Sequence, residues 1–140
     1  MFSKANLIST LVATIWGMGG GFLLWGILAE PYMVDHIMVD GLMKEPLEVV
    51  YLIIGTLIQA FAFATIYSKF GAGHYGAGNG FTFGIWMAIL IGLGEGLVDF
   101  ATSNMMNLHG TLVNFVVYLV FFGIMGLLVG LVYGKTASSS

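Results

Sequence analysis

Four uninterrupted apolar runs, at 5–29, 49–68, 81–101 and 112–134, limit what this chain can fold into. A helix needs about 20 apolar residues to cross the hydrocarbon of a bilayer, and each run is that long. The bilayer interior offers no water to unpaired backbone groups, so such runs take the form that satisfies its own hydrogen bonds, the helix. A membrane barrel needs short strands of alternating polarity, and here the apolar residues are continuous. Composition agrees. Of 140 residues, 59% are hydrophobic and 8% charged, against about 25% charged in a soluble domain. So few charges cannot cover a water-facing surface. The expected fold is an all-α membrane protein with a single domain over 1–140. Its four transmembrane helices form two helical hairpins, with the lipid bilayer as solvent.

The first run is too long for the apolar region of a secretory signal, which is roughly 7–15 residues, and "ILAEPY" after it offers no small-residue cleavage site. It is expected to be a retained span. Lys4 precedes the first run, Lys69 ends the second and Lys135 ends the fourth; only Lys44 lies on the opposite side. The positive-inside rule then places the N and C termini and the 69–80 loop in the cytoplasm. Tyr67 and Tyr133 each stand two residues before a lysine, the pattern of an aromatic headgroup anchor beside a snorkelling lysine. All seven acidic residues fall on the outer side in this topology.

Several function classes are disfavoured. The net charge is −3 and the four basic residues are all lysines, so no basic patch exists to hold a phosphate backbone and nucleic acid is not an expected partner. The chain has no cysteine, which removes disulfides, thiolate metal sites and thiol catalysis. The topology brings no Ser-His-Asp set together. No histidine lies inside a run, so paired axial ligands for haem are missing too. No catalytic residue and no cofactor are implied.

Short words recur about 67 residues apart: "VVYL" at 49–52 and 116–119, and "IYSK" at 66–69 echoed by "VYGK" at 132–135. This is the pattern of two related helix hairpins. Glycine recurs every fourth position. Ala13, Gly17 and Gly21 lie in the first run. The third has Gly84, Ala88, Gly92 and Gly96, and the fourth Gly126, Gly130 and Gly134. Small residues at this spacing form a groove in which helix backbones approach closely, so these glycines are expected to pack helices together. The "FGAGHYGAGNGF" segment lacks the Gly-Lys-Ser/Thr ending of a phosphate-binding loop and reads as a flexible connector. On the outer side, "PYMVDHIMVDGLMKEP" reads as a short amphipathic helix beginning at Pro31 and ending near Gly41. It would lie on the membrane surface.

The sequence of features, "GLMKEP" in the outer loop, "GFTFG" entering the third run, "DFATSNMMNLHGTLVN" and then "GLLVGLVYGK", resembles a group of small four-helix bacterial inner-membrane proteins. The resemblance implies the four-helix fold and a multi-pass location in the bacterial inner (plasma) membrane. It supplies no substrate and no catalytic residue.

The residues with most to explain are in "LIGLGEGLVDF", 90–100. Glu95 and Asp99 are four apart and share a helix face. Asp99 is near enough to the end of its run to meet the headgroups. Glu95 lies about 6 residues in, roughly 9 Å, where a carboxylate is expensive and is expected to face the bundle interior or a wet cavity. Gln59 and Thr56 in the second run are candidate partners, as are Asn104, His109 and Asn114 nearer the outer surface. Asn104 and Asn107 also suit helix caps or the turn between the last two runs. The outer methionines and histidines (Met33, His36, Met38, Met43, Met105, Met106, His109) are soft donors of the kind copper(I) takes, but their spacing fits no motif. A harder ion would draw on Glu95, Asp99, His109 and Glu30. The expected function is therefore a non-enzymatic structural or accessory subunit that self-associates or joins a larger membrane complex. The alternative is an oligomeric proton- or cation-binding transport protein using Glu95, with Asp99 at its entrance.

Overall fold

The computed structural model describes residues 3–29, 31, 48–103 and 106–136. The amphipathic helix expected from Pro31 to Gly41 lies, Pro31 apart, outside the described residues, as do Glu30, Lys44 and Asn104. Four helices account for the regular structure among the described residues. They are α1 (Lys4–Leu28), α2 (Val49–Gly71), α3 (Ala77–Thr102) and α4 (Leu108–Thr136), each long and apolar enough to cross a membrane.

Local chemistry sets the helix ends. Ser3 caps α1, its Oγ accepting from the Asn6 N–H at 3.1 Å. The α2 helix stops where Ala72 turns left-handed, φ 50°, ahead of Gly73 at φ 91°. Ser103 closes α3, its N–H and hydroxyl donating to the Asp99 carbonyl at 2.9 and 2.7 Å. Asn107 opens α4. Its Oδ1 accepts from the Gly110 N–H at 2.8 Å, the third helical position that an N-cap side chain serves. His109 therefore belongs to the first turn of α4 rather than to a turn before it. Two stretches are π-helical, Phe22–Leu28 in α1 and Ile89–Glu95 in α3. A π turn adds a residue to the repeat, about 100° of rotation at 3.6 residues per turn. The faces of α3 beyond Glu95 are thus offset from those extrapolated along its first half.

The main contacts give the spatial order α2–α1–α4–α3. The α1 helix packs on α2 and α4, α3 packs on α4, and α2 touches α3 and α4. The closest seam is α3 on α4, and glycine makes it. A Cβ on Gly80 would fall on the Gly126 carbonyl, and one on Gly84 would fall on the Phe122 carbonyl. Equally, a Cβ on Gly126 would meet the Gly80 carbonyl, and one on Gly130 that of Gly76. This seam also explains why α3 starts at Ala77 and not at 81. Ala77–Gly80 is poor helix former by composition, but packing of Gly80 against α4 overrides that preference. Gly92 continues the seam, with Tyr118 Cβ 2.9 Å from its Cβ position. Gly17 serves α1 on α2, where Thr56 Cγ2 comes within 2.8 Å of the same point. Gly21 and Gly96 are less confined, their nearest neighbours being Phe121 Cε1 at 3.9 Å and Thr111 Cγ2 at 3.5 Å. The core runs from Ala13, Ala60 and Phe63 through Phe83, Phe122, Met125 and Val129 to Tyr67 and Tyr133. The outside is apolar, with Leu11, Ile15, Val50, Ile58, Trp86, Leu90 and Val98 all exposed, as a helix surface in lipid would be.

Candidate functional site

Polar side chains collect at the two ends of the fold. One end, where α1 begins and α4 finishes, contains three tyrosines. The other carries Glu95 and Asp99.

At the carboxylate end, Trp25 is the organising side chain. Its ring meets Tyr118 and Phe121 edge-on at 4.9 and 5.1 Å, and its Nε1 donates to Asn114 Oδ1 at 2.7 Å. A shallow cavity of about 50 Å³ lies beside this contact, lined by Gly96, Asp99, Phe100, Ser103, Met106, Thr111 and Asn114. That volume holds one or two waters. The Thr111 hydroxyl donates to the Asn107 carbonyl at 3.1 Å and that of Ser103 to the Asp99 carbonyl at 2.7 Å, so each oxygen keeps its capacity to accept. Tyr118 is within electrostatic reach of both Glu95 and Asp99.

Glu95 is not where the sequence pattern puts it. Its side chain is exposed on the flank of α3 and forms no hydrogen bond or ion pair among the described residues. The expected partners are engaged elsewhere. Thr56 faces α1 at Gly17 and donates to its own Leu52 carbonyl at 2.7 Å. Gln59 is exposed on α2, and α2 meets α3 chiefly at the opposite end, where Phe63, Tyr67 and Phe70 surround Phe83 at 4.9, 5.6 and 5.3 Å. Asn114 is held by Trp25, and His109 is exposed. Of the predicted residues, Gly96, Asp99, Met106 and Asn114 line this one cavity. Among the described residues no group of three or more His, Asp or Glu side chains could hold a metal ion.

The tyrosine end was not anticipated. Tyr67 and Tyr133 are 0% and 3% exposed, so they are interior residues and not headgroup anchors. Their rings meet each other at 5.5 Å, and Tyr75 at 5.5 and 4.8 Å. The Tyr67 hydroxyl donates to Asn79 Oδ1 at 2.6 Å and accepts from the Gly76 N–H at 3.2 Å, while the Tyr75 hydroxyl donates to the Ser68 carbonyl at 2.8 Å. Ser3, Asn6 and Ser68 are ranged around the Tyr133 hydroxyl. Buried Asn6 in turn donates to Thr65 Oγ1 at 3.1 Å. The segment expected to be a flexible connector is thus tied down on both sides. The available signal was the recurrence of "IYSK" and "VYGK", which sets the two tyrosines at matching positions of α2 and α4.

These observations define an all-helical protein with four helices able to cross a membrane, polar at both ends and apolar around its girth. Comparison with family models, with curated proteins and with solved structures returned no match.

Proposed function

We propose that this is a non-enzymatic, multi-pass protein of the bacterial inner membrane, a structural or accessory subunit that self-associates or joins a larger membrane complex. The tyrosine end faces the cytoplasm, following the lysine distribution, and the four helices act as two hairpins joined along the α1–α4 contact. The observation that carries this reading is the exposed carboxylate of Glu95. A carboxylate on a lipid-facing helix costs up to about 3 kcal/mol at the bilayer centre, and Glu95, about 10 Å in from the helix end, bears part of that cost, so the surface of a single copy is incomplete. The glycine-lined seams support the same reading: they bring the helix backbones into close contact along α3 and α4.

Native mass spectrometry, on protein extracted from its own membrane in mild detergent, tests this directly. The expected result is a defined oligomer or a heavier complex. A species of 15.0 kDa alone, under conditions that keep known membrane complexes intact, refutes it. The cavity at Asp99 favours a second reading, an oligomeric cation- or proton-binding transport protein, because Asp99, Ser103 and Thr111 all line it. An ion adduct lost in Asp99→Asn would support that reading, and ion flux unchanged by Asp99→Asn and Glu95→Gln would exclude it.

A further inference from the structure

Gln59 and Glu95 are both exposed, on helices α2 and α3, which touch each other. Gln59 is ten residues from Val49 and Glu95 seven from Thr102, so they lie about 15 and 10 Å in from the carboxylate end at 1.5 Å per residue. That difference is within the reach of two long side chains. Neither has a hydrogen-bond partner among the described residues, and their chemistry is complementary: an amide N–H donor and a carboxyl acceptor. They do not meet within one copy, because α2 and α3 come together at the tyrosine end and α3 beyond Ile89 packs on α4 instead. The freed half of α2 is open almost all round. Residues 49–59 are exposed except for Thr56, which is half-buried.

The backbone surface there also suits a second helix. Gly55 shares a face with Gln59, one turn away, and nothing lies within 4 Å of its Cβ position. Gly94, beside Glu95, meets only the Ile89 carbonyl, at 3.5 Å. Small residues next to a hydrogen-bonding side chain are what membrane helices use to associate, since lipid provides no hydrophobic drive. The apolar groove on the α1–α4 side, lined by Val12, Ile15, Trp16, Gly19, Gly20, Leu23 and Leu128, carries no such polar side chain, and lipid chains can fill it.

We propose that the partner is a second copy of this chain, joined across the exposed halves of α2 and α3 about a two-fold axis along the membrane normal. The Gln59 amide of each copy donates to the Glu95 carboxyl of the other. A two-fold axis in that direction keeps depth unchanged and makes both pairs at once, as an isologous interface requires. Lys4, Lys69 and Lys135 lie at or near the ends of the described helices, so among the described residues exposed on α2 and α3 Gln59 is the amide donor nearest that depth. This interface rests on the self-association reading above and specifies its face.

Because the chain has no cysteine, each introduced thiol is unique. Ile58→Cys and Val98→Cys, on differently tagged full-length chains co-expressed in the native host, are treated in membranes with a short bifunctional maleimide; Ile15→Cys marks the α1–α4 groove. The expected product is a cross-linked pair of the two tagged chains through positions 58 and 98, with none through 15. In parallel, Gln59→Leu and Glu95→Leu each raise the dimer dissociation constant in mixed micelles about tenfold, the effect of losing two interhelical hydrogen bonds. The double variant is no weaker than either single one. A dimer that cross-links through position 15 and ignores Gln59→Leu overturns this interface while self-association stands. Cross-linking to a different protein overturns the second copy as partner. A monomer in the native membrane overturns both.

Discussion

The glycine seam between α3 and α4 gives the sharpest test of how the fold is held. A methyl group at Gly126 would overlap the Gly80 carbonyl oxygen and stand 2.9 Å from the Gly84 nitrogen and 3.0 Å from the Gly80 carbonyl carbon. Comfortable contact needs about 3.5–4.0 Å, so α3 must retreat by about 1 Å. The obstacle is backbone and cannot rotate aside. A gap of that size forfeits between a quarter and a half of the dispersion attraction across it, and Gly80, Gly84 and Gly130 share the same seam. Overpacking costs typically 1–3 kcal/mol, and an unyielding obstacle places this case at about 3 kcal/mol. Alanine returns about 1 kcal/mol through its better helix propensity, so Gly126→Ala should destabilise by about 2 kcal/mol. Gly19→Ala is the control. Nothing lies within 4 Å of its Cβ position, so it should gain up to about 1 kcal/mol from propensity alone. Denaturant titration in mixed micelles, followed by tryptophan emission, measures both, since Trp16 and Trp25 pack on Phe121 of α4. Equal shifts for the two variants would refute the close-contact argument.

Three further outcomes follow from the same geometry. Tyr67→Phe removes the hydroxyl shared by Asn79 and Gly76 and leaves buried polar groups unpaired, which should cost about 2 kcal/mol in the same titration. Asn107→Ala removes the cap of α4 and should cost about 1 kcal/mol, with faster amide exchange at Gly110 as its local signature. Ala72→Gly relieves a left-handed alanine and should stabilise by about 1 kcal/mol; a loss of stability there would show that the Ala72 methyl packs usefully.

The helices were legible because hydropathy acts over twenty residues and tolerates local error. The structure places all four within a few residues of the expected spans. Glycine spacing was legible too, since positions four apart share a face, and Gly17, Gly92, Gly126 and Gly130 do stand at helix contacts. Gly80 escaped because "GAGNG" reads as loop until the neighbour that rewards its helical form is known. Tyr67 and Tyr133 escaped for a related reason: a tyrosine beside a lysine near a helix end looks the same whether its ring faces lipid or another helix, and only the approach of α4 to α2 decides. The position of Glu95 was lost to the π turn that ends there. Periodicity counts 3.6 residues per turn, and no residue type announces the turn that takes one more.

The tyrosine cluster constrains the order in which the protein can be built. Its rings and hydroxyls come from α2, the turn after it and α4, and buried Asn6 of α1 borders the same cluster. Helices leave the ribosome from first to last, so Asn6, Tyr67 and Tyr75 enter the bilayer before Tyr133 has been made. Until α4 arrives, the tyrosine end of the bundle is unsealed and its polar groups lack their α4 neighbours. Completion of α4 is thus the step that closes the cluster. A chain stalled before it leaves the hydroxyl of Tyr67 and the amide of Asn6 without the Tyr133 ring that closes the cluster.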